Sequence, residues 1–296
     1  MTITTPDSEH RGLVERLPAR LRGLALLARF DRPIGWWLLF WPGAWAIALA
    51  GEAIARWELI GWILLGAIAM RGAGCVYNDI VDRDLDARVA RTAARPIPAG
   101  LVSVRAAWGW LVALSLVGLV VLVQLTPLAA AVAVASLALV AAYPFMKRIT
   151  WWPQAWLGLV FSWAAPVGWV EATGTLSAPM GLLYAGSVAW VIGYDTIYAC
   201  QDREDDALIG VRSSALRLGG HVRGGVAALY ALAVLLWAAA VWSVRPDPLA
   251  LAALLPAALH LAWQAATLVP ADGAGTLARF RANRFTGLLL LLGFLV

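Results

Sequence analysis

Between Arg105 and Lys147 the chain carries no charged side chain. A soluble domain must wet its surface and cannot leave so long a run uncharged, whereas a membrane helix needs about 20 apolar residues to cross the hydrocarbon. Gln124, Thr126 and Pro127 divide the run, so it reads as two crossing helices joined by a short turn. Composition agrees. Hydrophobic residues make up 61% of the chain and charged residues 14%, against roughly 45–50% and about 25% in ordinary soluble domains. The expected fold class is all-α, a polytopic membrane protein.

Apolar runs between charges and turn signals give nine candidate transmembrane helices, near 34–51, 57–77, 106–124, 127–145, 154–170, 179–200, 224–244, 248–268 and 281–296. Strict period-two alternation is absent from them, which disfavours a barrel. Residues 1–32 are polar and Arg-rich; no cleavable signal peptide is expected there, and they are expected to form a cytoplasmic N-terminal segment. Residues 33–296 are expected to form one transmembrane domain. The N-terminus and the even-numbered loops hold nearly all the basic residues, so the positive-inside rule puts them in the cytoplasm. The formal net charge of +5 is then mostly topology, and a nucleic-acid partner is not expected. Cys75 and Cys200 form no CxxC, and His10, His221 and His260 are scattered, so a zinc site is not implied.

The two long cytoplasmic loops follow spans two and six, and both begin with acids: "NDIVDRDLDARVARTAARPIPAG" from Asn78 and "YDTIYACQDREDDALIGVRSSALRLGG" from Tyr194. Four spans separate them, which suggests two related four-helix halves. If each cluster continues its preceding helix, Arg71, Asn78, Asp82 and Asp86 share one face, as do Asp195, Asp202 and Asp206, with Asp79 off to the side. The bland alternative is solvated acids paired with the interleaved arginines; two such stripes in matching places weaken it. Carboxylates one turn apart repel unless a cation lies between them. Oxygen donors of this kind suit Mg²⁺, which keeps several waters and binds one or two carboxylates plus substrate phosphates. Arginines and Lys147 would neutralise the remaining phosphate charge. No Walker-type loop occurs, so the ligand that best fits a membrane-edge site is a diphosphate on an apolar tail. Metal ions pulling on that diphosphate would ease departure from an allylic carbon, and a dry cavity with aromatic walls would shelter the cation formed. Tyr143, Tyr194 and Tyr198 are the candidate wall residues. Trp36, Trp37 and Trp41 read as an interfacial belt.

The pattern N-D-x-x-D-x-x-x-D at 78–86, R-x-x-x-R-P at 91–96 and D-x-x-x-D at 202–206 resembles the intramembrane aromatic prenyltransferase (UbiA) superfamily. Within it, "DRPIGWWLLFWPGAW", "MRGAGCVYNDIVDRDLD", "YPFMKRITWWPQAWLG", "YDTIYACQDREDDALIGVRS" and "FRANR" are similar to the 4-hydroxybenzoate polyprenyltransferases of ubiquinone biosynthesis. The resemblance implies a nine-helix bundle around a central, lipid-open cavity in a bacterial inner membrane. It also implies transfer of a polyprenyl chain from polyprenyl diphosphate to the ring of 4-hydroxybenzoate, ortho to its hydroxyl, with Mg²⁺. Asn78, Asp82 and Asp86 match its first metal–diphosphate motif, and Asp202 and Asp206 its second. Arg95 matches a phosphate contact. Arg71, Lys147 and Arg148 are anion contacts for the diphosphate or the benzoate carboxylate, and Arg32 could serve either substrate. Asp79 and Tyr194 are further substrate-binding candidates, and Asp195 is the candidate base or phenol-orienting group. A superfamily member with another aromatic or lipid acceptor is the alternative. A cation transporter is the rival from a different class, and it predicts acids near the bilayer midplane, whereas these cluster at helix ends.

Overall fold

The computed structural model describes residues 8–9, 11–87, 92–203, 207–208 and 210–296. Among them every regular element is a helix, as the apolar runs require. The helices are α1 (Arg11–Glu15), α2 (Ala19–Leu27), α3 (Ile34–Leu49), α4 (Trp57–Val81), α5 (Arg83–Asp86), α6 (Val104–Leu122), α7 (Pro127–Ile149) and α8 (Pro153–Ser162). They continue with α9 (Ala164–Thr173), α10 (Ala178–Ala199), α11 (Ser214–Leu218), α12 (Val222–Val244), α13 (Pro248–Ala252), α14 (Leu255–Ala266) and α15 (Gly273–Phe294). Among the described residues five stretches are long and apolar enough to cross a bilayer: Trp57–Val81, Val104–Leu122, Pro127–Met146, Ser214–Val244 and Pro248–Ala266. Each matches one of the nine expected spans. The first expected span is a shorter apolar helix, Ile34–Leu49.

Two expected spans are broken, and a proline accounts for each break. Pro166 has no N–H for the carbonyl of Ser162, where α8 stops, and Pro256 has none for Ala252, where α13 stops. The last helix begins eight residues before the expected 281. Asp272 accepts a hydrogen bond from the Gly275 N–H at 2.9 Å and caps a polar first turn that hydropathy alone passes over.

The chain forms two compact units, residues 1–37 with 64–124 and residues 38–63 with 125–296. In the first unit, Leu27 and Ala28 share a core with Ala73, Val76, Ile80, Ile97, Val102, Ala107 and Leu114. Residues 24–30 are therefore packed into this unit. Phe30 extends the core, with its ring centroid 6.1 Å from Trp36 and 6.3 Å from Trp110. Along α6, Val112, Leu116, Leu119 and Val120 remain exposed, an apolar flank that hydrocarbon would cover.

In the second unit α10 packs along α12. Gly186 lies against Trp237, where an added Cβ would come within 2.7 Å of the ring, and Gly193 lies against Tyr230, at 2.6 Å. The two glycines and the two rings are both seven residues apart and run in opposite directions, so one antiparallel helical face fits the other. Trp45, Trp190, Trp237 and Phe294 cluster beside this contact, with Trp45 centred 5.0 Å from Trp190 and 5.4 Å from Trp237. Trp45 also donates its indole N–H to Gly287 O at 2.9 Å. Buried amides are satisfied around Asn283: its Oδ1 accepts from Trp190 at 2.7 Å, and its Nδ2 donates to Gln264 Oε1 at 3.0 Å.

Candidate functional site

In the first unit the acidic cluster stays helical beyond the end of α4. Asp82 N–H donates to Asn78 O at 2.9 Å, and Asp86 N–H donates to Asp82 O at 2.8 Å. This carries the register of Asn78 through the bend at Asp82 into α5, as the i, i+4 spacing requires. Thr92 Oγ1 then donates to Asp86 O at 2.9 Å and fastens the returning loop. Burial separates the acids into two kinds. Asp79, Asp82 and Asp86 are 1%, 0% and 4% exposed, whereas Asp84 is open to solvent and makes only a loose 3.5 Å pair with Arg83. The solvated-charge reading fits Asp84 and fails for the other three. Charges that deeply buried persist only with cations or hydrogen-bond donors around them.

Two arginines supply part of that compensation. Arg29 Nη2 donates to Asp79 Oδ1 at 2.9 Å and to Oδ2 at 2.7 Å. Arg95 Nη1 lies 3.3 Å from Asp79 Oδ1 and 2.7 Å from Asp86 Oδ2. Asp79, expected at the side of the stripe, thus joins two arginines to the motif. Burial pulls the Arg29 pKa down, but the carboxylate of Asp79, helped by Cys75 and Asp31, outweighs it and the net shift is upward. Arg29 was not among the sequence-derived candidates, because nothing in the spacing of residues 11–32 distinguishes it from its neighbouring arginines.

Arg71 is half-buried on the same face of α4, and its Nη1 donates to Cys75 Sγ. Gly35 lies directly against it: a Cβ there would come within 2.7 Å of Arg71 Nε. Arg32 pairs with the buried Asp31 at 3.3 Å.

In the second unit Asp195 is half-buried in α10, and Asp202 ends the 3₁₀ turn Cys200–Asp202 that continues that helix. Asp206 lies outside the described residues. Tyr194 is 1% exposed, stacked edge-on between Trp190 (centroids 4.9 Å apart) and Phe280 (5.8 Å), so within this unit it is core. Tyr198 is half-buried, 4.7 Å from Phe280. Tyr143 is also half-buried. Arg148 is exposed, with its guanidinium carbon 5.8 Å from the Phe145 ring centroid. The side chain of Lys147 is outside the described set.

Contacts that the sequence did not advertise hold the chain after the second cluster. Arg212 Nη1 donates to Ile149 O at 2.7 Å while its guanidinium lies 5.5 Å from the Trp151 ring centroid. Ser214 shares a 2.7 Å hydroxyl contact with Thr196, and its N–H donates to Gln154 Oε1 at 2.9 Å. These bonds bring α11 back against α10 and α8.

Among the described residues no group of three or more His, Cys, Asp or Glu side chains forms a ready metal cage. The donor chemistry of the first cluster nevertheless fits Mg²⁺. Asn78, Asp82 and Asp86 present hard oxygen donors at successive turns, and this ion takes few protein ligands because water and phosphate fill the rest.

A model of the "UbiA prenyltransferase family" matches residues 39–291. A 4-hydroxybenzoate octaprenyltransferase of Azotobacter vinelandii is 39% identical over 96% of this chain and 96% of its own length. The mitochondrial 4-hydroxybenzoate polyprenyltransferase of Arabidopsis thaliana is 39% identical over 94% of this chain and 69% of its own. Among solved structures, a UbiA homologue from Aeropyrum pernix superposes with a TM-score of 0.72 at 27% identity, covering 87% of this chain and 96% of the homologue. A homologue from Archaeoglobus fulgidus, solved with GPP and Mg²⁺, shares the fold with a TM-score of 0.66 at 17% identity over 92% of this chain and 98% of its own. With the family model matched across most of the sequence and relatives this similar along nearly all of it, the chain belongs to the UbiA prenyltransferase family.

Proposed function

We propose that this protein transfers a polyprenyl chain from polyprenyl diphosphate to the ring carbon ortho to the hydroxyl of 4-hydroxybenzoate, releasing diphosphate, in ubiquinone biosynthesis. The observation that carries the reading is the helical face of half-buried Asn78 with buried Asp82 and Asp86, and Arg95 beside it. It occurs in a chain whose curated relatives act on this acceptor by name. Buried acids at the end of a long apolar helix make a charged head-group site whose tail can stay in hydrocarbon. The protein is proposed to lie in the bacterial inner membrane, with the N-terminus and both acidic loops on the cytoplasmic side.

Asn78, Asp82 and Asp86 would hold one Mg²⁺, and Asp202 and Asp206 a second. Bound there, the ions would withdraw charge from the diphosphate as it leaves. The chain's own groups do the rest. Arg95 binds phosphate oxygens, for which its planar fork is suited. Arg71, set by Gly35, binds an anion, as do Lys147 and Arg148 at the end of α7; Arg32 contacts one of the two substrates. Asp195 orients the phenol or takes the ring proton. The surrounding apolar helices exclude the water that would quench a prenyl cation.

The test is turnover by membranes containing the protein, given polyprenyl diphosphate and 4-hydroxybenzoate with Mg²⁺ or EDTA, the prenylated acid being detected by mass. Product only with Mg²⁺ is expected, and Asp82→Asn or Asp202→Asn should each lower it by at least about a hundredfold. Diphosphate release with a different acceptor would replace the acceptor. Silence with every acceptor, in folded protein, would refute the reading.

A further inference from the structure

Arg29 is the non-glycine residue among those described that has a positive φ, +59°. It follows α2, at a place where glycine closes many helices because it meets no steric penalty in the left-handed region. An arginine held there implies that its side chain is needed. Nη1 turns back to the helix it ends, donating to Leu26 O at 2.9 Å and to Leu27 O at 3.4 Å. Nη2 faces the other way and holds both oxygens of Asp79. One guanidinium thus fixes the end of α2 to the last turn of α4.

Asp79 in turn touches Arg95, but weakly, at 3.3 Å, while Arg95 makes its short contact of 2.7 Å with Asp86. Asp79 and Asp86 thus compete for one guanidinium. Asp79 is 1% exposed and must be neutralised from within. With Arg29 in place, both its oxygens are already engaged and Arg95 is left to Asp86. Without Arg29, Arg95 is the guanidinium left in contact with Asp79, and it would turn onto it and away from Asp86.

We propose that Arg29 is a positioning residue for the diphosphate end of the site: by neutralising Asp79 it keeps Arg95 aimed at the first metal–diphosphate motif. The inference rests on the function proposed above and adds a residue that lies fifty positions upstream of the motif. In this assignment Arg29 acts through Asp79 and Arg95. It sets how strongly Arg95 is drawn aside.

The cleanest variant is Arg29→Gly, because glycine takes the same φ without strain and removes only the side chain. In an active parent, KM for polyprenyl diphosphate should rise about 10- to 100-fold, the range for losing a group that orients a ligand-binding residue. KM for 4-hydroxybenzoate should stay within about twofold, since Arg95 is assigned to the phosphate. Arg29→Gly added to Asp79→Asn should leave the diphosphate KM of Asp79→Asn unchanged, because the competing carboxylate is already gone. Arg29→Lys, which keeps the charge but not the fork, should fall between. The double variant also covers the case in which Arg29→Gly alone leaves too much buried charge to fold. Unchanged diphosphate KM in folded Arg29→Gly would overturn the proposal. So would equal losses for both substrates that recur when Arg29→Gly is added to Asp79→Asn, which is the signature of a purely structural cap. No turnover by the parent with any acceptor would instead refute the assigned function, and this role for Arg29 would fall with it.

Discussion

Glu171 closes the C-terminal end of α9, and its carboxylate does two jobs. Oε1 takes Arg56 Nη2 at 3.0 Å, and Oε2 accepts the Thr126 N–H, at the start of α7, at 2.7 Å. The partners differ in burial, with side chains 3% exposed for Glu171 and 35% for Arg56. That difference decides which loss is worse. Arg56→Gln strands a buried carboxylate, and orphaning one member of a buried pair costs about 3–5 kcal/mol. The amide end of α7 still faces the carboxylate and recovers roughly 1 kcal/mol, leaving about 2–4 kcal/mol. Glu171→Gln is milder: Arg56 can turn to water, and the Thr126 N–H keeps a neutral acceptor, so about 1 kcal/mol is lost. The double variant should resemble Glu171→Gln alone, because no buried charge is left behind. The assay is thermal unfolding in detergent followed by tryptophan fluorescence, at one scan rate for all four proteins. At about 2 °C per kcal/mol for a chain of this size, Arg56→Gln should melt roughly 4–8 °C low. Glu171→Gln and the double should each melt about 2 °C low. Additive losses in the double variant, or a smaller loss for Arg56→Gln than for Glu171→Gln, would refute the reasoning.

Gly35→Ala should leave the melting temperature nearly unchanged, because the atom it strikes is the movable end of Arg71; turnover should nevertheless fall about tenfold or more as the guanidinium shifts. Gly168→Ala should behave in the opposite way. Its Cβ would come within 2.6 Å of Gly43 O, where backbone meets backbone, and overpacking of that kind costs about 1–3 kcal/mol. Gly181→Ala, with open space around it, is the control, and equal melting temperatures for the two alanine variants would contradict the close approach of α3 and α9.

The helices were legible because the apolar runs and the charge between them follow directly from the cost of placing backbone and charge in hydrocarbon. The site was legible to the extent that it is local. The spacing of Asn78, Asp82 and Asp86 foretold one helical face, and the i→i−4 bonds bear that out. The breaks at Ser162 and Ala252 were written in Pro166 and Pro256, four residues on, but a hydropathy window averages across a single missing N–H. The early start of α15 was hidden for a related reason: a polar first turn capped by Asp272 scores as loop. The partner of Asp79 was beyond reach, since Arg29 is fifty residues away and no periodicity links them. Tyr194 was ambiguous because an aromatic ring one residue from an acid suits a cavity wall and a core equally; its packing against Trp190 and Phe280 decides for core within its unit.

The pairing of Gly186 with Trp237 and of Gly193 with Tyr230 also bears on motion. If α10 slid along α12 by one turn, about 5.4 Å, both rings would leave their notches together. Moved one way, they would meet Trp190 and Ile197; moved the other, Leu182 and Ala189. Neither alternative offers two hollows at the required interval, so there is no second resting place within a short travel. Asp195, two residues beyond Gly193, is therefore held at a fixed height, as if on a ratchet with a single tooth. Whatever lets a long lipid tail enter and leave, it is not a piston stroke of α10.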